Sequence, residues 1–295
     1  MAGERPRRQL LWLVLCAGLS ACVGSPSPPA SLGPIVVGPT PVVTRYEIGT
    51  TIWMAGFVVT VEWAEASLDS KGGPLLVAMS IRNDGDIGVL DVPMTVIAGD
   101  AVFEPGPGQS MPVQPARAVT MVRLEFEVIG RSSIDDGVLR IGRPGDHVAA
   151  IPLRPNPAAA VTLQPRPADL TANGRAGTIR IQLRRLTLRW DLPDWHDELA
   201  ADKAALTIWY DATYTGDFSG GTPFTAANVG LRLPDGTTVK PLADGHSQSV
   251  ALLRSNRTVR NLSSRFEIPD GLSGSFAFVI REGSQTKAVG FTIEP

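Results

Sequence analysis

Phe57-Val58-Val59-Thr60-Val61-Glu62-Trp63 sets Phe57, Val59, Val61 and Trp63 at every second position, with Val58, Thr60 and Glu62 between them. A period of two is the signature of a strand with one face against a core, whereas a helix would repeat its apolar residues every three or four positions. The pattern continues outward. Leu75, Val77, Met79 and Ile81 repeat it, and so do Met94, Val96 and Ala98. Beyond a Pro/Gly-rich loop, Glu104 to Pro115, come Met121 to Val128, Val138 to Ile141 and Val148 to Leu153. Seven or so short strands at this spacing predict a β-sandwich over residues 45–155.

The same order of strands returns after residue 174. Ala55-Gly56 is matched by Ala176-Gly177, and Val59, Val61 and Trp63 by Ile179, Ile181 and Leu183. At Arg184-Arg185 the alternation slips by one residue, as at a β-bulge in the second copy. Leu75, Val77, Met79 and Ile81 match Leu206, Ile208, Tyr210 and Ala212, and Met94, Val96 and Ala98 match Val229, Leu231 and Leu233. Phe126-Glu127-Val128 matches Phe266-Glu267-Ile268, and Ile151 and Leu153 match Phe291 and Ile293. Inward and outward facing is preserved over a whole domain, so tandem duplication is the economical explanation. A second sandwich is expected over 174–295, with Pro-containing 156–173 as linker. One short helix is expected around Glu198 to Ala205.

Composition narrows the function classes. The 295 residues carry a net charge of −2, 30 Gly and 25 Pro, which points to many turns and few long helices. There is no basic block, so neither nucleic acid nor an anionic membrane surface is an expected partner. Only two Cys are present, Cys16 and Cys22.

Both cysteines fall in a distinctive N-terminus. Arg5, Arg7 and Arg8 precede an apolar run from Leu10 to Ala21, too short to span a bilayer but suited to a secretory signal. Leu19-Ser20-Ala21-Cys22 closes it and resembles the lipobox of bacterial lipoproteins. That resemblance implies cleavage of residues 1–21, acylation of Cys22, and a mature chain held at the cell membrane or cell surface on the extracytoplasmic side. Lipidation would also occupy the one thiol left, which otherwise would stand odd in a secreted protein. Arg7-Arg8-Gln9-Leu10-Leu11 resembles a twin-arginine export signal, with Pro6 where Ser or Thr is usual. Residues 22–44 then read as a lipidated tether, holding Pro26, Pro28, Pro29, Pro34, Pro39 and Pro41. An extended Pro-rich segment of this length reaches roughly 70 Å at most.

Candidates for chemistry are few. Gly245-His246-Ser247-Gln248-Ser249 is a near miss to the Gly-X-Ser-X-Gly nucleophile elbow, but no strand–turn–helix pattern surrounds it. The stretch from Asp191 to Glu198 is the densest in carboxylates, and Asp194, His196 and Asp197 are the candidate metal ligands within it. Its spacing fits no EF-hand, and acidic residues at a helix start are the structural alternative. His147 and His246 each adjoin a turn and are expected in exposed loops. Trp209 and Asp211 share a strand face opposite Ile208 and Tyr210, where an outward aromatic beside polar groups can form a carbohydrate or partner platform. No catalytic residue and no cofactor site is assigned.

The strand pattern, with turns such as Leu233-Pro234-Asp235-Gly236, resembles the immunoglobulin-like domains of secreted and lipid-anchored bacterial proteins. The antibody-type Cys…Trp…Cys core is lacking. The resemblance implies an all-β chain of two tandem immunoglobulin-like sandwiches acting as a non-enzymatic binding or spacing module. Its partners would be the membrane, through the N-terminal lipid, and an envelope protein or carbohydrate. The alternatives are an auxiliary subunit of an envelope secretion, transport or sensor complex, and a hydrolase.

Overall fold

In the computed structural model, which describes residues 41–154, 157–243 and 249–295, strands dominate, and the only helical turns among these residues are three short 3-10 segments. The chain is all-β. The first half holds β1 (Val42–Met54), β2 (Phe57–Leu68), β3 (Gly72–Asn83), β4 (Met94–Ala98), β5 (Ala101–Phe103), β6 (Val119–Ile129), β7 (Val138–Ile141) and β8 (Ala149–Pro152). They form two antiparallel sheets, β1-β2-β3-β6 and β5-β4-β7-β8.

The second half opens with β9 (Arg166–Asp169), β10 (Asn173–Ala176), β11 (Ile179–Arg189), β12 (Asp191–Leu192) and β13 (Asp197–Glu198). It continues with β14 (Lys203–Tyr214), β15 (Thr222–Phe224), β16 (Val229–Arg232), β17 (Thr238–Val239) and β18 (Ala251–Leu253), and ends with β19 (Thr258–Pro269), β20 (Gly274–Glu282) and β21 (Gln285–Ile293). Its main sheets are β10-β11-β14-β19, with β9 also on β11, and β17-β16-β20-β21. Strand for strand, this is the connectivity of the first half.

Each half has its own apolar core between its sheets. Phe57, Met79, Ile81 and Phe126 are fully buried in one, and Tyr210, Phe224, Phe266 and Phe278 in the other. The second core is richer in rings: Tyr210 lies 4.9 Å from Phe278 and 5.9 Å from Phe224, within the range of favourable aromatic pairs. The Tyr210 hydroxyl, which would be costly to bury unpaired, is bonded to Ser264 Oγ at 2.8 Å.

The pairing revises the correspondence between the two halves. Phe57 stands opposite Asn83, and Ile179 opposite Tyr214, so Phe57, not Val59, is the counterpart of Ile179. A bulge sits at the same place in both halves: at Glu62 between Val61 and Trp63, and at Arg184 between Leu183 and Arg185. It turns Trp63 to the outer face, where Arg45 lies 4.2 Å over its ring, and puts Ala64 into the core. The last strands also shift. Ile151 pairs with Leu139, and Val289 with Phe278, so Val289 rather than Phe291 corresponds to Ile151. A strand's faces repeat every two residues, so a slip of two leaves the hydrophobic pattern intact. The matches at Leu75/Leu206 and Phe126/Phe266 agree with the pairing.

Two further expectations are corrected. The segment from Glu198 to Ala205 holds no helix: Glu198 ends β13, and β14 runs from Lys203, because alternating Ala204, Leu206 and Ile208 must face the core. His147 is buried rather than exposed. Between the halves, Val161 bridges Ala150, Thr162 O accepts the Trp53 N–H at 3.0 Å, and β9 lies on β11. The described residues form one compact unit.

Phe266 fills the centre of the second core, with its ring 6.2 Å from Phe278. Phe266→Ala is expected to destabilise the protein by about 3–5 kcal/mol, read as a lower midpoint in urea unfolding.

Candidate functional site

The turn between β1 and β2 is two residues long, Ala55-Gly56, and both have positive φ (48° and 78°), as the tight hairpin turn matching strand twist requires. Its tip is pressed against the second half. A Cβ on Gly56 would lie 2.7 Å from Pro193 O, so only glycine allows this approach. The two N–H groups of the turn would be buried without partners unless the opposing segment supplied acceptors.

It supplies two carboxylates. Ala55 N–H donates to Glu198 Oε1 at 2.5 Å, and Gly56 N–H to Asp191 Oδ2 at 2.7 Å. Asp191 and Glu198 face each other as a β12–β13 pair, and both are buried. Arg189 forks onto Asp191, with Nε to Oδ1 at 2.7 Å and Nη2 to Oδ2 at 2.9 Å, the bidentate geometry that makes such bonds strong. Burial, followed by repulsion from Asp191, pushes the Glu198 carboxyl up to about 9, against the opposing pull of the Ala55 N–H and Arg189. At neutral pH Glu198 is therefore an uncharged acid beside the Arg189-bound Asp191. The second half caps its own equivalent turn in the same way, with Thr178 N–H donating to Glu282 Oε2 at 2.5 Å.

Other groups extend this clasp. The His196 ring stacks on Phe57 at 4.8 Å, and its Nε2 meets Asn83 Oδ1 at 3.1 Å. Gly88 makes room for it, since a Cβ there would lie 2.6 Å from His196 Cε1. Backbone bonds run alongside: His147 N–H to Leu199 O at 3.3 Å, and Ala201 N–H to Gly145 O at 2.9 Å. His147 Nε2 lies 2.7 Å from Lys203 O.

The candidate metal ligands are thus turned to different partners. Asp194 pairs with Arg265 at 2.7 Å, His196 enters the first half, and Asp197 accepts the Glu198 N–H at 3.0 Å. Among the described residues no group of three His, Cys, Asp or Glu side chains could hold a metal ion. Trp209 and Asp211 do lie on the outer face, but neither is free. Arg185 covers Trp209 at 4.3 Å, and buried Asp211 accepts Arg184 Nε at 2.9 Å. Cys22, the twin-arginine run and Gly245 to Gln248 lie outside the described residues.

Sequence reading singled out the acidic stretch but not its use, because the groups it serves are backbone N–H groups more than a hundred residues away. It also missed a cleft of about 510 Å³ in the first half, floored by Leu90, Met94, Met111 and Leu124 and rimmed by Asp91, Glu104 and Gln109. The Gln109 side chain fixes one wall by donating to Glu125 O at 2.9 Å and accepting the Glu125 N–H at 2.8 Å. No signal in the strand pattern marks it, since most of its walls are loop.

No family model and no curated protein matches the chain. Among solved structures it is similar to the crystal structure of a conserved domain protein from Bacillus anthracis, at 11% identity over 84% of this chain and 90% of that chain, with a TM-score of 0.24. So distant a likeness bears on neither activity nor ligand.

The clasp carries a pH dependence. Glu198 binds its proton more tightly in the folded chain than in the unfolded one, where it titrates near 4.5. Its contribution is complete below that value and is lost as pH rises toward about 9, at a slope of up to about 1.4 kcal/mol per pH unit. Glu198→Gln keeps an acceptor for the Ala55 N–H and removes the titrating carboxyl. It is expected to flatten the pH dependence of urea unfolding between pH 5 and 9 relative to the parent chain.

Proposed function

We propose that this chain is a non-enzymatic binding module of the bacterial envelope, lipid-anchored at Cys22 and built from two immunoglobulin-like sandwiches. The connectivity supports the domain type. With β2, β3 and β6 taken as strands A, B and E, the strands β5, β4, β7 and β8 stand as C′, C, F and G. In the second half β11, β14 and β19, and β17, β16, β20 and β21, take the same places. Strands β1 and β10 are additions at the edge beside A.

The observation that carries the binding reading is the preformed cleft of the first half. Its apolar floor and its rim of two carboxylates and an amide suit a ligand with an apolar body and neutral or cationic polar groups. By contrast, the polar groups that catalysis would call on, Asp191, Glu198, His147 and His196, are committed to joining the halves. The anchor reading rests on the lipobox resemblance, and a cysteine bearing two or more acyl chains would hold the protein stably at a membrane.

Cys22→Ser is expected to abolish metabolic labelling with a palmitate analogue and to move the protein out of the membrane fraction. Persistent membrane partition of the variant without label would contradict the anchor. Turnover of p-nitrophenyl esters by the purified chain, lost in Ser247→Ala, would overturn the non-enzymatic reading in favour of a hydrolase.

A further inference from the structure

The outer face of the second half holds a concentration of positive charge that an overall net charge of −2 does not foreshadow. Arg180, Gln182 and Arg184 follow one another along this face of β11, and Thr213 and Asp211 stand beside them on β14. β19 bulges opposite Asp211: Tyr210 pairs with Leu262 and Ala212 with Val259, which leaves Arg260 and Asn261 across from one residue. The result is a polar recess of about 180 Å³, lined by Arg180, Gln182, Arg184, Thr213, Thr258 and Arg260 with Asp211 at its floor.

Asp211 organises this recess rather than neutralising it. One carboxylate oxygen accepts the Asn261 N–H at 3.1 Å, which steadies the bulge, and the other accepts Arg184 Nε at 2.9 Å and Nη2 at 2.5 Å. The guanidinium of Arg184 is so held in place while its side chain stays 46% exposed. Arg180 and Arg260 are exposed and have no ion-pair partner among the described residues. Three guanidiniums therefore face one carboxylate, leaving two positive charges unbalanced. The Thr213 and Thr258 hydroxyls, bonded to each other at 2.8 Å, stand at the edge as neutral polar groups.

We propose that this recess binds the phosphate of a phosphomonoester. Planar guanidiniums donate in pairs to tetrahedral oxyanions, the unbalanced charge matches a dianion, and the volume is that of a single such group rather than of a drug-sized molecule. The site stands on the second half alone and holds whether or not Cys22 carries a lipid.

Titration calorimetry of the full chain with inorganic phosphate tests it. Saturable binding is expected. Arg180→Ala and Arg260→Ala, both exposed positions, are each expected to lose at least about tenfold in affinity, equivalent to about 1.4 kcal/mol, while Arg232→Ala on β16 leaves it unchanged. Glycerol 3-phosphate and dihexanoyl phosphatidic acid separate the sources: equal affinities identify a free phosphomonoester, and tighter binding of the second identifies a lipid headgroup. Absence of phosphate binding, affinity untouched by both arginine variants, or equally tight binding of acetate would overturn the proposal.

Discussion

Two N–H groups at the tip of a hairpin, on Ala55 and Gly56, have nowhere to go within their own half of the molecule. Buried polar groups demand partners, and this demand joins the two halves. The side chains of Asp191 and Glu198 meet it, and they come from the short β12–β13 pair inserted between β11 and β14. Arg189 and Pro193 on the same segment complete the fit, the first by pairing with Asp191 and the second by packing on Gly56.

The repeated connectivity sharpens this picture. The corresponding turn of the second half receives its carboxylate from Glu282 on its own β20. The first half has no such cap of its own and takes one from its neighbour, so two similar folds become unequal. A buried pair of facing carboxyls would be mutually repulsive if both were charged. Keeping the proton on Glu198 relieves that repulsion, while the Gly56 N–H and Arg189 bind Asp191.

Much of the fold is legible in the strand pattern, and the reasons for the misses are specific. Faces were readable because Val59, Val77 or Phe266 on the wrong side would expose apolar surface. Register was not, because a shift of two residues changes no face, as the Val59 and Phe291 alignments illustrate. The first bulge was hidden because Trp63 continues the apolar alternation, while Arg184-Arg185 breaks it openly. Of the candidate site, the acidic stretch was visible as composition, but its partners are backbone groups that no side-chain pattern reports. Trp209 and Asp211 were placed on the correct face, yet their use by Arg185 and Arg184 depends on pairing that the sequence leaves open.

The clasp also bears on presentation. With β1–β2, the loop after β3 and the loop before β8 all tied to the segment 189–201, the cleft of the first half and the arginine recess of the second belong to one compact unit. Site-resolved amide hydrogen exchange at Ala55 and Gly56 reports on the clasp itself. Slow exchange is expected at both, with protection comparable to core amides of β2 and β11. Exchange at the rate of a solvent-exposed hairpin tip would contradict the clasp.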